Sequence, residues 1–420
     1  MIGGLWKSAS TAALFAAAGL FVGGVAMPSA KAADLGGDCC ADLEERVAEL
    51  EATTARKGNR RMSLTVSGQV SRSILYWNAD VPGDAGDSGV YAGLDNHNQS
   101  TRFIFSGSAR VSPNVTAGFE FMTEWAGGAR TSNVNQDTVD GAISGQPSLD
   151  PRNDGILAVR TANWWIEDKN LGRLTVGRLN VGGPVGTIDL GGISTVAHYS
   201  PGLVGGGFFV AGGSTLSSLV GPTYGGDRIE GVRYDTANIG GFVGQATWGE
   251  DDVWSASLRY AGEFGGVRVA AGIGYEAQDG NAFDAIQLDN GRRPMDHEWS
   301  GSLALMHVAS GLFVQGHYAT TEWQNGTDSQ FWMVQAGITK NWFGLGNTSF
   351  YGEYGNAEDY IKATVAIDAS NVDFYGVGVV QQIDAAAMEV FLGWRRFETE
   401  RTGDPSADID LVHGGARIRF

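Results

Sequence analysis

The last thirteen residues constrain the fold most. They read Asp-Ile-Asp-Leu-Val-His-Gly-Gly-Ala-Arg-Ile-Arg-Phe, from Asp408 to Phe420. Taken in twos from the end, one face carries Phe420, Ile418, Ala416, Gly414 and Val412. The other carries Arg419, Arg417, Gly415 and His413. A period of two is a strand. A soluble sandwich could bury the first face and expose the second, but it has little reason to end its chain on a buried Phe. A transmembrane barrel has one. Its last strand must pair with its first, because an open edge in lipid leaves backbone groups unpaired, and the arginines then face a wet lumen.

The same period runs almost without a break from Met62. Leu64, Val66, Gly68 and Val70 share a face. Phe103, Phe105, Gly107, Ala109 and Val111 share another, opposite Ser106, Ser108 and Arg110. Val115, Ala117, Phe119, Phe121 and Trp125 then alternate with Glu120 and Glu124. Phenylalanines backed by Arg and Glu suit lipid on one side and water on the other. Gly makes up 63 of 420 residues, about twice the usual share, as expected of many turns and close backbones. Tight turns fall near 112–114, 168–172, 237–241, 261–266, 308–311, 342–346 and 384–386, which makes seven hairpins. With the unpaired first strand and the C-terminal strand the count is sixteen; a misread hairpin gives fourteen or eighteen. The expectation is an all-β, antiparallel, 16-stranded transmembrane β-barrel over residues 61–420. An even number lets both ends lie on one side, with tight turns periplasmic and long links outward. Those links lie near 78–99, 127–155, 179–226, 277–297 and 359–370. Aromatics towards strand ends, from Tyr76-Trp77 to Trp342, suit interfacial girdles.

Residues 1–32 read as a secretory signal peptide: Lys7, an apolar run over 12–25, and Ala30-Lys31-Ala32 before a cleavage point between Ala32 and Ala33. A transmembrane anchor is the alternative. Cleavage removes two basic residues and no acid, leaving 27 basic against 47 acidic and moving the formal charge from −18 to −20. Such acidity argues against nucleic acid as a partner. No later apolar run reaches the length of a membrane-spanning helix. Residues 33–60 form a periplasmic segment with one short helix, in which Cys40, Leu43, Val47, Leu50 and Thr54 make a seam of two heptads. Two heptads do not hold alone in water, so the seam needs copies brought together by something else. A lone helix beneath the barrel is the competing reading. Cys39 and Cys40 lack zinc-ligand spacing, and whether they pair between copies is left open. The segment could also tie the membrane to the cell wall, a structural role that does not exclude a pore.

Residues 33–60 followed by Leu-Thr-Val-Ser-Gly-Gln-Val (64–70), Leu-Gly-Arg-Leu-Thr-Val-Gly-Arg (171–178) and the terminal Phe420 resemble the alphaproteobacterial general porins. The resemblance implies an outer-membrane homotrimer of sixteen-stranded barrels in a Gram-negative bacterium, surrounded by outer-membrane lipids. Each barrel would pass ions and small hydrophilic solutes passively. It implies that the third long loop, about 179–226, folds inward and narrows the pore, and that Phe420 is the assembly signal.

Charges on the wall and the loop would then set ion preference. Strand phase nominates Arg102, Arg110, Glu120, Glu124, Arg160 and Arg417; the phase of Arg178 and Arg72 is unresolved. The loop offers Asp189. The family pattern opposes an arginine cluster to loop acids, whereas this loop is nearly uncharged. A solvated lumen or rim charge is the alternative for each residue. Overall acidity suggests a modest cation preference. His97, His198, His297, His307, His317 and His413 show no metal-ligand grouping, and no spacing brings a nucleophile to a base. The reading is therefore neither an enzyme nor a cofactor protein. The acids Asp80, Asp84, Asp87 and Asp95 read as a solvated first loop rather than a divalent-ion site.

Overall fold

A computed structural model describes residues 62–82, 88–126, 129–136, 157–181, 185–210, 214–220, 228–250, 253–278, 295–324, 326–360 and 369–420. The signal peptide, the 33–60 segment with Cys39 and Cys40, and Asp84 and Asp87 lie outside the described residues.

Seventeen strand segments form one antiparallel sheet. They are β1 (Thr65–Asp80), β2 (Ser88–Asp95), β3 (Arg102–Arg110), β4 (Val115–Trp125), β5 (Leu157–Asp168), β6 (Gly172–Asn180), β7 (Arg228–Thr236), β8 (Phe242–Gly249), β9 (Trp254–Phe264), β10 (Val267–Ala277), β11 (Met295–His307), β12 (Leu312–Trp323), β13 (Asp328–Lys340), β14 (Thr348–Glu358), β15 (Ser370–Ile383), β16 (Met388–Arg401) and β17 (Ala407–Arg419). From β3 onward each strand pairs with the next, and β17 closes on β1 from Gln69↔Arg419 to Asp80↔Asp408. β1 carries β3 along its first part, Thr65↔Ser106 to Gln69↔Arg102, and β2 along its second, Arg72↔Asp95 to Asn78↔Ser88. β2 and β3 therefore share one position in the wall, and the barrel is 16-stranded. The link expected over 78–99 holds β2. Its Gly89-Val90-Tyr91-Ala92-Gly93 has too few apolar residues to announce a strand, and pairing with β1 supplies what propensity does not.

All seven tight turns fall where the alternation predicts them, at the end where the chain also finishes. Gly68 and Phe420 exchange backbone hydrogen bonds of 2.9 and 3.1 Å there, and the Phe420 ring lies 5.8 Å from that of Phe103. The outward face carries Val66, Val70, Ile74, Phe105, Phe121, Trp164, Leu258, Leu303, Val334 and Leu392, all exposed. Trp248, Trp254, Trp299, Trp332 and Trp342 are exposed on this face as the girdle reading expects, but Trp77 and Trp323 point inward and are buried.

The third long link folds into the lumen, as expected, and brings an apolar core with it. Leu75 and Trp77 of β1, Phe331 and Met333 of β13, Phe374 of β15, Phe397 of β16 and Ile409 and Leu411 of β17 face inward. They form one buried cluster with Val204, Phe208, Val210, Leu216 and Leu219 of the long segment between β6 and β7. That segment includes the five-residue helix α1 (Leu216–Val220). A second cluster sets Ile193, Val196 and Ala197 of the same segment against Met306, Phe313, Tyr351, Val380 and Phe391. Each such residue contributes about 1.5–3 kcal/mol on burial, so the inner segment is packed as a core rather than laid on a wet wall. At these positions β13 is apolar on both faces, Phe331 and Met333 inward and Trp332 and Val334 outward, as strands covered on both sides are.

Candidate functional site

The inner segment descends beside β11, where Ser302 Oγ donates to the Val185 carbonyl, and crosses the lumen at 189–198. Asp189 does not face the passage as a free charge. Its Oδ1 accepts from Gly192 N at 2.8 Å, its Oδ2 from Ser194 N at 2.8 Å, and Gln315 Nε2 lies 3.3 Å away. Burial pushes its carboxyl above the ordinary carboxylate range, against the lowering effect of those donors. Asp189 thus builds the bend. It is the one ionisable acid among the described residues of 185–220.

The wall holds this bend from several strands. Thr339 Oγ1 and Ser349 Oγ donate to the Gly191 carbonyl at 2.9 and 2.7 Å. A Cβ on Gly191 would come 2.5 Å from the Phe313 ring, so only glycine lets the backbone approach this closely. Glu389 accepts from Thr195 Oγ1 and pairs with Arg417 at 2.7 Å and Arg419 at 3.3 Å. Glu353 pairs with Arg395 at 2.8 Å and accepts from Gln335 Nε2 at 3.0 Å; Arg395 Nη1 donates in turn to the Pro201 carbonyl at 3.3 Å. The segment is held from β10 and β11 round to β17 and β1.

Two further pieces close the crossing. The turn between β2 and β3 enters the lumen: Asn96 Nδ2 donates to the Thr195 carbonyl at 2.9 Å and Asn98 Nδ2 to that of Val196 at 3.1 Å. The start of the link after β4 runs beside it. Thr131 Oγ1 donates to the Leu203 carbonyl at 2.8 Å, and Gly205 N to the Thr131 carbonyl at 2.8 Å.

From this junction a polar relay reaches the wall. Gln99 Nε2 lies 3.5 Å from Ser194 Oγ, and Arg102 Nη2 donates to Gln99 Oε1 at 3.4 Å. Arg102 Nε donates to the Ser100 carbonyl at 3.1 Å, and Ser100 Oγ to Glu124 at 2.8 Å. Glu124 pairs with Arg160. Arg130 lies 3.8 Å from Asp95. Arg228, the first residue of β7, is close enough for its field to act on Arg102, Glu124, Arg130 and Arg160.

Of the residues nominated by phase, Arg102, Glu124 and Arg160 meet here. Glu120 faces inward on β4 and accepts from Thr161 Oγ1 at 3.1 Å. Arg417 faces inward too, as the partner that holds Glu389 against the loop. Arg110 lies at the tight turn and donates to the carbonyls of Ser112 and Pro113 at 3.2 and 3.3 Å, away from the crossing. Arg178 is a correction. It shares the outward face of β6 with Leu174 and Val176 and lies 3.8 Å from Glu230 of β7, so it leaves the lumen set. Arg72 also faces outward, stacked 5.1 Å from the Trp125 ring. Among histidines, His317 is buried inward whereas His307 is exposed at its turn. His297, which showed no grouping in the sequence, lies 2.9 Å from Asp296 and 3.4 Å from Glu322 at the loop end of β11 and β12. Arg130, Arg228, Glu353, Arg395 and Glu389 escaped notice. Glu353 and Arg395 had a signal, since each sits on the inward phase of its strand; Arg130 had none, because links have no phase.

A family model for Gram-negative porins matches residues 10–402. The anion-selective porin from Comamonas acidovorans superposes with a TM-score of 0.54 at 14% identity, over 86% of this chain and 100% of that one. OmpF of Salmonella typhi, in complex with daunomycin, gives 0.52 at 14% over 86% and 98%. The trimer form of OmpT, an outer membrane protein of Vibrio cholerae, gives 0.50 at 14% over 86% and 99%. At these identities the likeness is one of fold. No curated protein matches the sequence.

Proposed function

Since the chain belongs to the Gram-negative porin family and forms an outer-membrane channel for passive diffusion, we propose that it works as a homotrimer of pores for ions and small hydrophilic solutes. The carrying observation is a closed barrel whose inner segment is fastened across the lumen to the wall from β11 round to β17 and β1, facing inward charges on β3, β4 and β5. A side fully covered by packing and a side lined by charge make a narrowed conduit. Its role is passage, not catalysis.

Several finer readings accompany this one. The opening stretch and Phe420 are akin to alphaproteobacterial porins. Residues 1–32 act as a signal peptide cleaved between Ala32 and Ala33, and 33–60 stay in the periplasm, on the side of the tight turns. Phe420 serves as the assembly signal. The narrowest part of the pore draws on Arg102, Glu124 and Arg160. Two observations support a trimer. One is the trimer form of the Vibrio cholerae neighbour. The other is Arg72, an outward charge about 13 Å along β1 from the Gly68–Phe420 hydrogen bonds. An arginine facing lipid at the bilayer midplane costs roughly 2–4 kcal/mol, which a neighbouring copy relieves.

Single-channel recording of the purified protein in a planar bilayer tests the reading. The expected trace opens in one step and closes in three equal ones. A folded barrel that inserts and conducts nothing above baseline would reject the pore; one equal closing step would reject the trimer.

A further inference from the structure

We infer that the loop end of the barrel carries a binding site for a divalent transition cation of the zinc class, held by His297 and Glu322, with Asp296 orienting the imidazole. The site lies on the outer surface of the wall and is separate from the passage.

It starts from a bulge. β11 and β12 pair Met295 with Trp323 and His297 with Glu322, so Asp296 is an extra residue without a partner on β12. In an unbroken strand Met295 and His297 would share a face. With the extra residue, Met295 packs against the buried lumen cluster. His297 instead takes the outward phase of Trp299, and Glu322 that of Tyr318, both of them exposed. The His297 ring lies 5.7 Å from that of Tyr275, which in turn lies 4.7 Å from that of Trp299. Asp296, His297 and Glu322 thus meet at the start of β11 and the end of β12, away from Phe420 and outside the lumen.

Their spacing fits a metal. His297 Nδ1 lies 2.9 Å from Asp296 Oδ2. An ionised carboxylate only accepts, so Nδ1–H donates. This fixes the tautomer and turns a lone pair of Nε2 outward, which is what a carboxylate does behind a metal-binding histidine. Nε2 faces Glu322 Oε2 at 3.4 Å. Two acceptors so placed repel each other unless a cation or a second proton lies between them. A bridging proton draws nitrogen and oxygen closer than this, to about 2.7–2.9 Å, as on the Nδ1 side. Zinc bonds of about 2.1 Å to nitrogen and to oxygen, opened to the tetrahedral angle, place the two ligand atoms about 3.4 Å apart. Ligand atoms of all three residues lie within 4.8 Å of one another. The imidazole disfavours magnesium and calcium, which take oxygen ligands. Both carboxylates are exposed, so water completes the coordination.

Calorimetric titration of the purified, detergent-solubilised chain with zinc alone tests the site. A C39S/C40S background is used, since thiolates are strong zinc ligands. The expected result is saturable binding of one zinc that H297Q removes. D296N should weaken it about tenfold to a hundredfold, the usual effect of removing the group that orients a metal-binding histidine. E322Q should weaken it at least as much. Magnesium should not compete. Asp296 and Glu322 are exposed, so their variants serve even if H297Q does not assemble. A background chain without saturable zinc binding overturns the inference, and His297 is then the centre of an ordinary ion-pair triad. So do D296N and E322Q variants that bind zinc as tightly as the background.

Discussion

Replacing Glu353 by alanine should loosen the inner segment, widen the channel and destabilise the barrel strongly. The Glu353 carboxylate is 1% exposed and answers Arg395, itself 8% exposed. Removing it strands a buried guanidinium, a change that costs about 3–5 kcal/mol. The loss reaches the pore because Arg395 also holds the Pro201 carbonyl, and Gln335, the other donor to Glu353, lies 3.4 Å from the Ala197 carbonyl. Both contacts fasten the crossing segment. The expected result is a lower urea midpoint, followed by intrinsic tryptophan fluorescence, and larger, noisier unit conductance. E353Q should fall between, since it keeps a hydrogen-bond acceptor for Gln335 and loses the charge. E353L/R395L should recover most of the stability, because removing both charges leaves neither unpaired, but not the quiet conductance. A midpoint and conductance both unchanged in E353A would show that the pair does not anchor the loop.

The barrel was legible because lipid outside and a hydrogen-bonded sheet impose one period on every strand. Seven turns and the pairing of the terminal strand with the first could be counted from residues alone. β2 was not, since a strand of Gly89, Ala92 and Gly93 has little pattern and is fixed by its partner. The inward core was legible only in part. Phe331-Trp332-Met333 interrupts the apolar–polar alternation, a sign that the lumen side is covered, whereas Val372-Asp373-Phe374 alternates and only the structure turns its apolar face inward; nothing in the sequence says what covers either.

The charged site shows the same limit. Phase assigns a side chain to a face, not to a height, so Arg102 and Arg110 look alike in sequence although one joins the crossing and the other a turn. Arg178 failed for a related reason: its strand alternates small and apolar residues on both faces, and only pairing with β7 fixes its direction. Arg130 and Arg228 enter from a link and from a strand's first residue, where a period carries no information.

Phe208→Ala should separate packing from charge in setting conductance. The ring is fully buried, 5.3 Å from that of Trp77 in an edge-on arrangement, and lies in the cluster that includes Leu75 and Leu411. Its backbone is fixed independently, with Leu216 N donating to its carbonyl at 2.8 Å and its own amide reaching Gly205 at 3.0 Å. Gly205 has φ +82, and a Cβ there would come 2.4 Å from Leu411 Cδ1, so the chain cannot shift far to fill a void. Truncating a core Phe costs about 3–5 kcal/mol when the site does not collapse. The expected loss of stability lies in that range, read from the urea midpoint. Conductance should rise as the segment gains freedom to move off the wall. Phe208 carries no charge, so the reversal potential in a salt gradient should stay where it is in the wild type. If conductance rose and the reversal potential shifted with it, the field in the pore would depend on where the loop sits rather than on the wall charges alone. If the midpoint did not move, the apolar cluster would be no core, and the narrowing would rest on the Glu353 and Glu389 ion pairs alone.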